Sequence, residues 1–199
     1  IGPAQIQTSQ ITSRDIDRQH FPHYFLKEIS ESPSSVEKTL DNKFKHQEGS
    51  PLYIPVLEES NVPEFILDEL KTDQIKKIFF IGQGTAGVAA AGCADLLDHY
   101  LAGRSIVIRA LKSSELSGFA IKEGDGNETS MTDSLVIAIS QSGTTTDTNR
   151  TVDMAKSCGA RTLCIVNRRD SDLTFKTDGV LYTSSGRDIE MSVASTKAF

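Results

Sequence analysis

The sequence predicts an α/β fold with three αβα layers: a flavodoxin-like, doubly wound parallel sheet of five strands, preceded by an N-terminal helical extension. Five short apolar runs alternate with helical segments along residues 77–183, which is typical of strands buried in a parallel sheet. Hydrophobic residues make up 38% and charged residues 24% of the 199 residues, which is enough for one buried core with an additional segment.

The part of the chain before the sheet is predicted to be mostly helical. Residues 1–19 are polar and lack periodicity, so we expect a linker or tail. Apolar side chains then recur at a helical spacing: Phe25, Ile29, Val36 and Leu40. Pro33 is expected to begin a second helix with Ser32 as its cap, and a further short helix is predicted at about residues 63–70. Residues 20–74 therefore form the predicted N-terminal helical segment.

The sheet domain is predicted over residues 75–199. Its predicted strands and helices, in chain order, are strand Lys77–Gly82, helix Ala86–Leu101, strand Ser105–Ala110, strand Ser134–Ser140, helix Asp147–Cys158, strand Arg161–Val166 and strand Gly179–Thr183. The polar stretch 121–132 is expected to be a turn or insertion. The chain begins with Ile1 and stops at Phe199, inside a predicted new helix, so we expect a piece of a longer protein whose sheet domain is cut at its carboxyl end.

Composition argues against several classes of function. The formal net charge of −6 argues against a nucleic-acid-binding surface. Cys93, Cys158 and Cys164 do not have the spacing of metal ligands, and we predict neither a metal nor a cofactor. No apolar run is long enough to span a membrane, and a cytoplasmic location is expected.

The loop after the first predicted strand, residues 82–87 (GQGTAG), resembles a dinucleotide-binding fingerprint without completing it. Its third glycine falls one residue early, and no acidic residue ends the next strand. Nucleotide binding is therefore not predicted. The loop can bring backbone close to another ligand, or its glycines can serve the tight strand-to-helix turn alone.

The loop after the third predicted strand, residues 140–148 (SQSGTTTDT), is the strongest functional signal. Gly143 lets the chain turn so that successive N–H groups can converge on an anion, and the helix that follows adds partial positive charge. Four side chains can donate to phosphate oxygens: Ser140, Gln141, Ser142 and Thr145. A Ser/Thr-rich helix cap is the alternative, but a cap needs only one such side chain. The pattern predicts a phosphate cradle.

Residues 186–197 (GRDIEMSVASTK) follow the fifth predicted strand and open a helix. They can place Ser195 and the Val193 backbone over a ligand held by the loop at residues 140–145. Glu190 is a candidate general base, although a solvated acid at a helix N-terminus explains it equally well.

Three segments together resemble the isomerase part of the glutamine–fructose-6-phosphate aminotransferases, also called glucosamine-6-phosphate synthases. They are HYFLKEISESP at 23–33, ISQSGTTTDT at 139–148 and EMSVASTKAF at 190–199. The first sugar isomerase (SIS) domain of that family carries S-Q-S-G-E-T and E-I-G-V-A-S-T-K-A-F in the same order. The N-terminal match favours this family over smaller sugar isomerases.

This resemblance implies an activity and a set of contacts. The family converts fructose 6-phosphate and glutamine to glucosamine 6-phosphate and glutamate. The family's sugar-phosphate contacts match Thr85, Ser140, Gln141, Ser142, Thr145, Val193 (through its backbone) and Ser195. The family's Schiff-base lysine, ring-opening histidine and isomerising glutamate lie in a second SIS domain and a C-terminal tail. The resemblance therefore implies that this chain binds a sugar phosphate without catalysing, and that its partners are a second SIS domain, a glutaminase domain and another copy in a homodimer.

Two positions depart from the family pattern. Ala86 lacks a hydroxyl that the family has in its first loop, C-G-T-S, and Thr144 replaces the glutamate of its second loop. These departures leave two alternatives open: a related sugar-phosphate isomerase or deglycase, and a module that senses a sugar phosphate to regulate a partner. The N-terminal segment favours the aminotransferase.

Overall fold

A computed structural model of the chain describes residues 17–122 and 129–183. The first elements in these ranges are two short helices and a hairpin: α1 (Tyr24–Ser30), α2 (Ser32–Leu40), β1 (Phe44–His46) and β2 (Tyr53–Pro55). His23 caps α1, because its Nδ1 accepts a hydrogen bond from the Leu26 amide at 3.2 Å. The two helices confirm the predicted N-terminal helices, whereas the antiparallel pairing of β1 with β2 was not predicted.

The apolar side chains whose spacing predicted α1 and α2 are exposed rather than buried. The four side chains at helical spacing are 42–47% exposed: Phe25, Ile29, Val36 and Leu40. Lys27 and Glu28 are buried instead, and the Lys27 ammonium is compensated by an ion pair with Glu31 at 3.0 Å. Ser32 is also not the cap: it is the first residue of α2, and Glu31 precedes it without a side-chain capping bond.

The central sheet contains five parallel strands in the order β4-β3-β5-β6-β7. They are β3 (Lys77–Gly82), β4 (Val107–Lys112), β5 (Ser134–Ser140), β6 (Arg161–Val166) and β7 (Gly179–Tyr182). This is the flavodoxin-like order, so the predicted fold is confirmed. β3, β5 and β6 have the predicted bounds, whereas β4 begins and ends two residues later than predicted and β7 ends one residue earlier.

Helices cover the sheet and connect its strands. They are α3 (Glu64–Lys71), α4 (Thr85–Tyr100), α5 (Thr146–Ser157) and α6 (Asp172–Lys176). A helical turn at Ser113–Glu115 runs into a π-helical segment at Leu116–Ala120 after β4. That turn and α6 were not predicted, and both are too short to produce a clear helical periodicity.

Two apolar cores lie on opposite faces of the sheet, because successive side chains of a strand point to opposite sides. One core joins Leu135, Ile137 and Ile139 of β5 to Ile66 of α3 and Ala90 of α4, and the other joins Val136 and Ala138 to Val152 of α5 and Leu173 of α6. All seven residues of β5 are buried. The three-layer arrangement is therefore confirmed.

Two cysteines contribute to these cores: Cys164 is buried in one core, and Cys93 packs against the other. Burial raises the pKa of the Cys164 thiol to about 11 and raises that of Cys93 as well. Neither thiol is ionised near neutral pH, so neither is suited to nucleophilic chemistry. In the part of the chain that the structure describes, no helix is long and apolar enough to cross a bilayer.

Candidate phosphate site at the carboxyl edge of the sheet

The loops that follow β3 and β5 lie on either side of the point where the strand order reverses. From β3 the chain crosses to β4 on one side, and from β5 it continues to β6 on the other. Ligands of such sheets bind beyond the carboxyl ends of the strands at this switch point. The loop predicted as a phosphate cradle therefore lies where the fold favours a ligand.

The loop after β5 is folded by hydrogen bonds from its own amides to its own hydroxyls. The Gly143 amide donates to Ser140 Oγ at 3.0 Å. The Thr144 amide and hydroxyl donate to Ser142 Oγ at 3.3 and 3.1 Å. Each serine oxygen accepts in these bonds and keeps its own O–H to donate. Ser140 is buried at the end of β5, whereas Ser142 is half-buried and closer to solvent.

Gly143 fixes the shape of this loop. Its φ is +64°, and a Cβ at this position would lie 2.0 Å from Ser171 Oγ. Its carbonyl accepts hydrogen bonds from Asn149 Nδ2 and from the Leu173 amide, each at 3.1 Å. The turn therefore rests directly on α5 and on the start of α6, with no space for a side chain.

The N-terminus of α5 points to the same place. Thr145 precedes the helix, and its hydroxyl makes no capping bond. The helix's first amides therefore lack a side-chain acceptor from their own N-cap, which leaves positive partial charge for an anion. Asp147 in the first turn is exposed and contributes negative charge nearby, which weakens that attraction.

Loops lie on both sides of the cradle, and the loop after β6 contacts it directly. The Arg168 amide, after β6, donates to the Gln141 carbonyl at 3.1 Å. After β3, Gln83 Nε2 donates to Ser114 Oγ at 3.4 Å, and exposed Thr85 begins α4. Ala86, where the family has a hydroxyl, is the second residue of α4 and packs against the apolar core.

Three buried polar atoms at this edge lack a hydrogen-bond partner: Gln83 Oε1, Asn149 Oδ1 and Ser171 Oγ. They are the buried side-chain atoms without a partner within residues 17–122 and 129–183, and they belong to the loops after β3 and β6 and to the first turn of α5. Buried polar atoms are nearly always paired, so a group of unpaired ones marks a place that a ligand or water can satisfy. None of these three residues was predicted as a site residue. In the sequence they look like any other polar residues, because their burial and their lack of a partner arise only when the chain folds.

The structure brings five of the predicted site residues to this one edge: Thr85, Ser140, Gln141, Ser142 and Thr145. The other predicted contacts, Val193 and Ser195, and the candidate base Glu190 lie outside the described residues. In the described ranges, no group of three or more His, Cys, Asp or Glu side chains could hold a metal ion.

Comparisons with known proteins identify the relatives of this chain. A family model described as the SIS domain matches residues 122–199. A glutamine–fructose-6-phosphate aminotransferase from Fusobacterium nucleatum is 32% identical over 179 residues, which is 90% of this chain and 26% of that protein. The same enzyme from Thermus thermophilus is 32% identical over 199 residues, which is 99% of this chain and 29% of that protein. The chain thus spans less than a third of the length of these relatives.

Among solved structures, the C-terminal domain of glucosamine-fructose-6-phosphate aminotransferase from Francisella tularensis has the same fold. It superposes with a TM-score of 0.68 at 24% identity, covering 92% of this chain and 46% of that one. The chain therefore carries a SIS domain and is homologous, over nearly its whole length, to the isomerase part of glutamine–fructose-6-phosphate aminotransferases.

Proposed function

We propose that this chain belongs to a longer enzyme that makes glucosamine 6-phosphate and glutamate from fructose 6-phosphate and glutamine, and that its own role is to hold the sugar's phosphate. The observation that carries this proposal is the loop around Gly143 at the switch point of the sheet, where the hydroxyls of Ser140 and Ser142 accept hydrogen bonds within the loop and keep their O–H groups to donate beside the N-terminus of α5. The relatives of the chain support the identity of the sugar phosphate.

The phosphate is held by neutral donors. The hydroxyls of Ser140, Ser142 and Thr145 and the amide of Gln141 donate to its oxygens, and the first N–H groups of α5 face its charge. A hydrogen bond to a charged group contributes about 1.5–3 kcal/mol. Thr85 reaches the sugar from the opposite loop, and the Val193 backbone and Ser195 complete the site.

The chain binds and positions the substrate, while the chemistry takes place on the rest of the enzyme. Holding the phosphate fixes the reacting carbons of the opened sugar, and orientation of this kind lowers a barrier without any acid or base. In this proposal the chain contains no catalytic residue, and it works with a second SIS domain and a glutaminase domain in a cytoplasmic homodimer. Residues 1–19 are its linker, 20–74 its N-terminal helical segment and 75–199 its SIS domain.

The test is calorimetric titration of the chain with fructose 6-phosphate and, separately, with inorganic phosphate. We expect Ser142→Ala to weaken both affinities about tenfold, since it removes one charge-assisted hydrogen bond. Ser34→Ala, in exposed α2, is the matched control and should bind as the wild type does. Equal binding by Ser142→Ala and the wild type would contradict the cradle. Turnover of fructose 6-phosphate by the isolated chain would contradict its non-catalytic role.

A related sugar-phosphate isomerase or deglycase is the second candidate. It is favoured by Thr144, whose hydroxyl donates to Ser142 Oγ at 3.1 Å where the family has a longer, charged glutamate. This difference changes the charge beside the phosphate and can change which sugar is accepted. Titration with glucose 6-phosphate beside fructose 6-phosphate measures which sugar the site accepts, and a clear preference for the aldose would favour this second candidate.

A further inference from the structure

A cavity of about 490 Å³ lies between the N-terminal segment and the end of β7. Three cations line it, Lys38, Lys43 and Arg169, together with the carboxylates of Asp41 and Glu58. Cavities of this volume suit small-molecule ligands. Its lining carries one net positive charge, although the whole chain carries −6.

Tyr182 fixes two of these cations. Lys43 Nζ donates to the Tyr182 carbonyl at 2.7 Å, and the Arg169 guanidinium lies over the Tyr182 ring, 4.6 Å from its centroid. Tyr182 ends β7, and Arg169 lies in the exposed turn after β6, where its contact with the Tyr182 ring places it at the cavity. The Lys43 ammonium keeps two N–H groups for another acceptor.

Neither cation is neutralised by a carboxylate. Among residues 17–122 and 129–183, neither Lys43 nor Arg169 has an ion-pair partner, even though Asp41 and Glu58 line the same cavity. Burial, followed by the charge of Arg169, lowers the pKa of Lys43. Two cations that lie in one cavity without a carboxylate partner form a favourable place for an anion.

We propose that this cavity binds the phosphate group of a small molecule, at a second site separate from the loop at residues 140–145. The planar guanidinium of Arg169 presents two parallel donors that match phosphate oxygens, and Lys43 and Lys38 supply point charges. Neighbouring residues of the loop after β6 reach the two sites: the Arg168 amide contacts Gln141, whereas Arg169 lines the cavity. This inference does not depend on the function proposed for the first site.

The two arginines provide a matched pair of variants. Arg169→Gln removes a lining charge and leaves the Lys43–Tyr182 bond in place, whereas Arg168→Gln removes the same charge from an exposed neighbour outside the cavity. The wild type and both variants are titrated with inorganic phosphate, with chloride adjusted to keep the ionic strength constant. Binding is followed by NMR at the backbone amides of Lys43 for the cavity and of Gly143 for the cradle.

We expect the chemical shift of the Lys43 amide to change with phosphate concentration and to saturate, with a dissociation constant different from that read at the Gly143 amide. Arg169→Gln should weaken that curve about tenfold, the effect of losing one charge-assisted contact, and Arg168→Gln should leave it within about twofold. Lys43→Met, read at the Tyr182 amide, should also weaken binding about tenfold. The binding curve read at the Gly143 amide should be the same in Arg169→Gln as in the wild type, because Gly143 reports on the cradle and not on the cavity.

The proposal fails if phosphate does not shift the Lys43 amide, or if chloride alone produces the same shift. It also fails if Arg168→Gln and Arg169→Gln lower the phosphate affinity read at the Lys43 amide equally, because phosphate would then be attracted by the overall charge of the chain and not by Arg169. If phosphate shifts the Lys43 amide as expected but does not shift the Gly143 amide, the result contradicts phosphate binding in the cradle and leaves the cavity proposal intact.

Discussion

At the scale of single residues, Gly143 shows how one backbone position can shape a whole site. Its positive φ turns the chain, and its missing side chain lets the turn rest on Ser171. The sequence predicted the turn, because a glycine among hydroxyl residues before a helix is typical of an anion loop. The contact with Ser171 was not predictable, because it joins residues 28 positions apart that meet only when β5 and β6 pair.

Gly143→Ala tests this role. We expect it to lower the free energy of unfolding by at least about 1–3 kcal/mol, since alanine is strained at this φ and its Cβ collides with Ser171. Gly118→Ala is the control, because a Cβ there meets no atom within 4 Å. Urea denaturation measures both, and the expectation is wrong if the two variants lose equal stability.

At the scale of elements, prediction succeeded where burial imposes a pattern. β5 is buried from end to end, with apolar residues between Ser134 and Ser140, because both its faces are covered, and its bounds were predicted correctly. β4 lies at the sheet edge with half its residues exposed, so its sequence has no sharp limit, and its start was misplaced by two residues. The helices α1 and α2 were predicted, but their buried side was not, because spacing alone cannot say which face is covered.

The link between α3 and the sheet depends on a forked ion pair. Arg161 donates through Nε and Nη2 to the two carboxylate oxygens of Glu69, at 2.8 and 2.6 Å, and both side chains are partly buried. Ile66 of the same helix is fully buried in the adjoining core. Glu69 therefore adds a directional contact to a helix whose apolar face already packs against the sheet.

Arg161→Lys tests this link, because lysine keeps the charge but loses the fork. We expect a loss of about 1 kcal/mol in the free energy of unfolding. The control is Lys71→Gln, which breaks the exposed pair of Lys71 with Asp68 on the same helix and should cost at most about 0.5 kcal/mol. Thermal and urea denaturation give both values, and an equal effect of the two variants would show that the fork adds nothing.

At the scale of the whole molecule, the two edges of the sheet have different chemistry. Three ion pairs lie at the amino edge: Lys77 with Asp133, Lys156 with Asp178, and Arg161 with Glu69. The unpaired polar atoms lie at the carboxyl edge. We infer that the ion pairs at the amino edge stabilise the fold, whereas the carboxyl edge binds a ligand. A variant at the amino edge should therefore lower the free energy of unfolding without changing the affinity for phosphate.

Asp178→Asn is that variant. Burial alone would raise the pKa of Asp178, but hydrogen bonds from Lys156 and from Thr162, the latter at 2.8 Å, hold it below its ordinary value. The pKa of Asp133 is also lowered, because bonds from Lys77 and Ser134 outweigh the effect of burial. For a lowered carboxyl pKa the unfolded chain takes up protons first, so stability is present at neutral pH and is lost as the pH falls below about 4.

We therefore expect Asp178→Asn to lose about 1.5–3 kcal/mol at pH 7 and to depend less steeply on pH between 5 and 3 than the wild type does. Its phosphate affinity at pH 7 should match the wild type, because Asp178 lies at the opposite edge from the cradle. Asp98→Asn, which removes an exposed charge from α4, is the control for net charge. Urea denaturation at each pH gives the first result and calorimetry the second. Equal acid slopes in the wild type and Asp178→Asn would refute the stabilising role of this carboxylate, and weakened phosphate binding would refute the separation of the two edges.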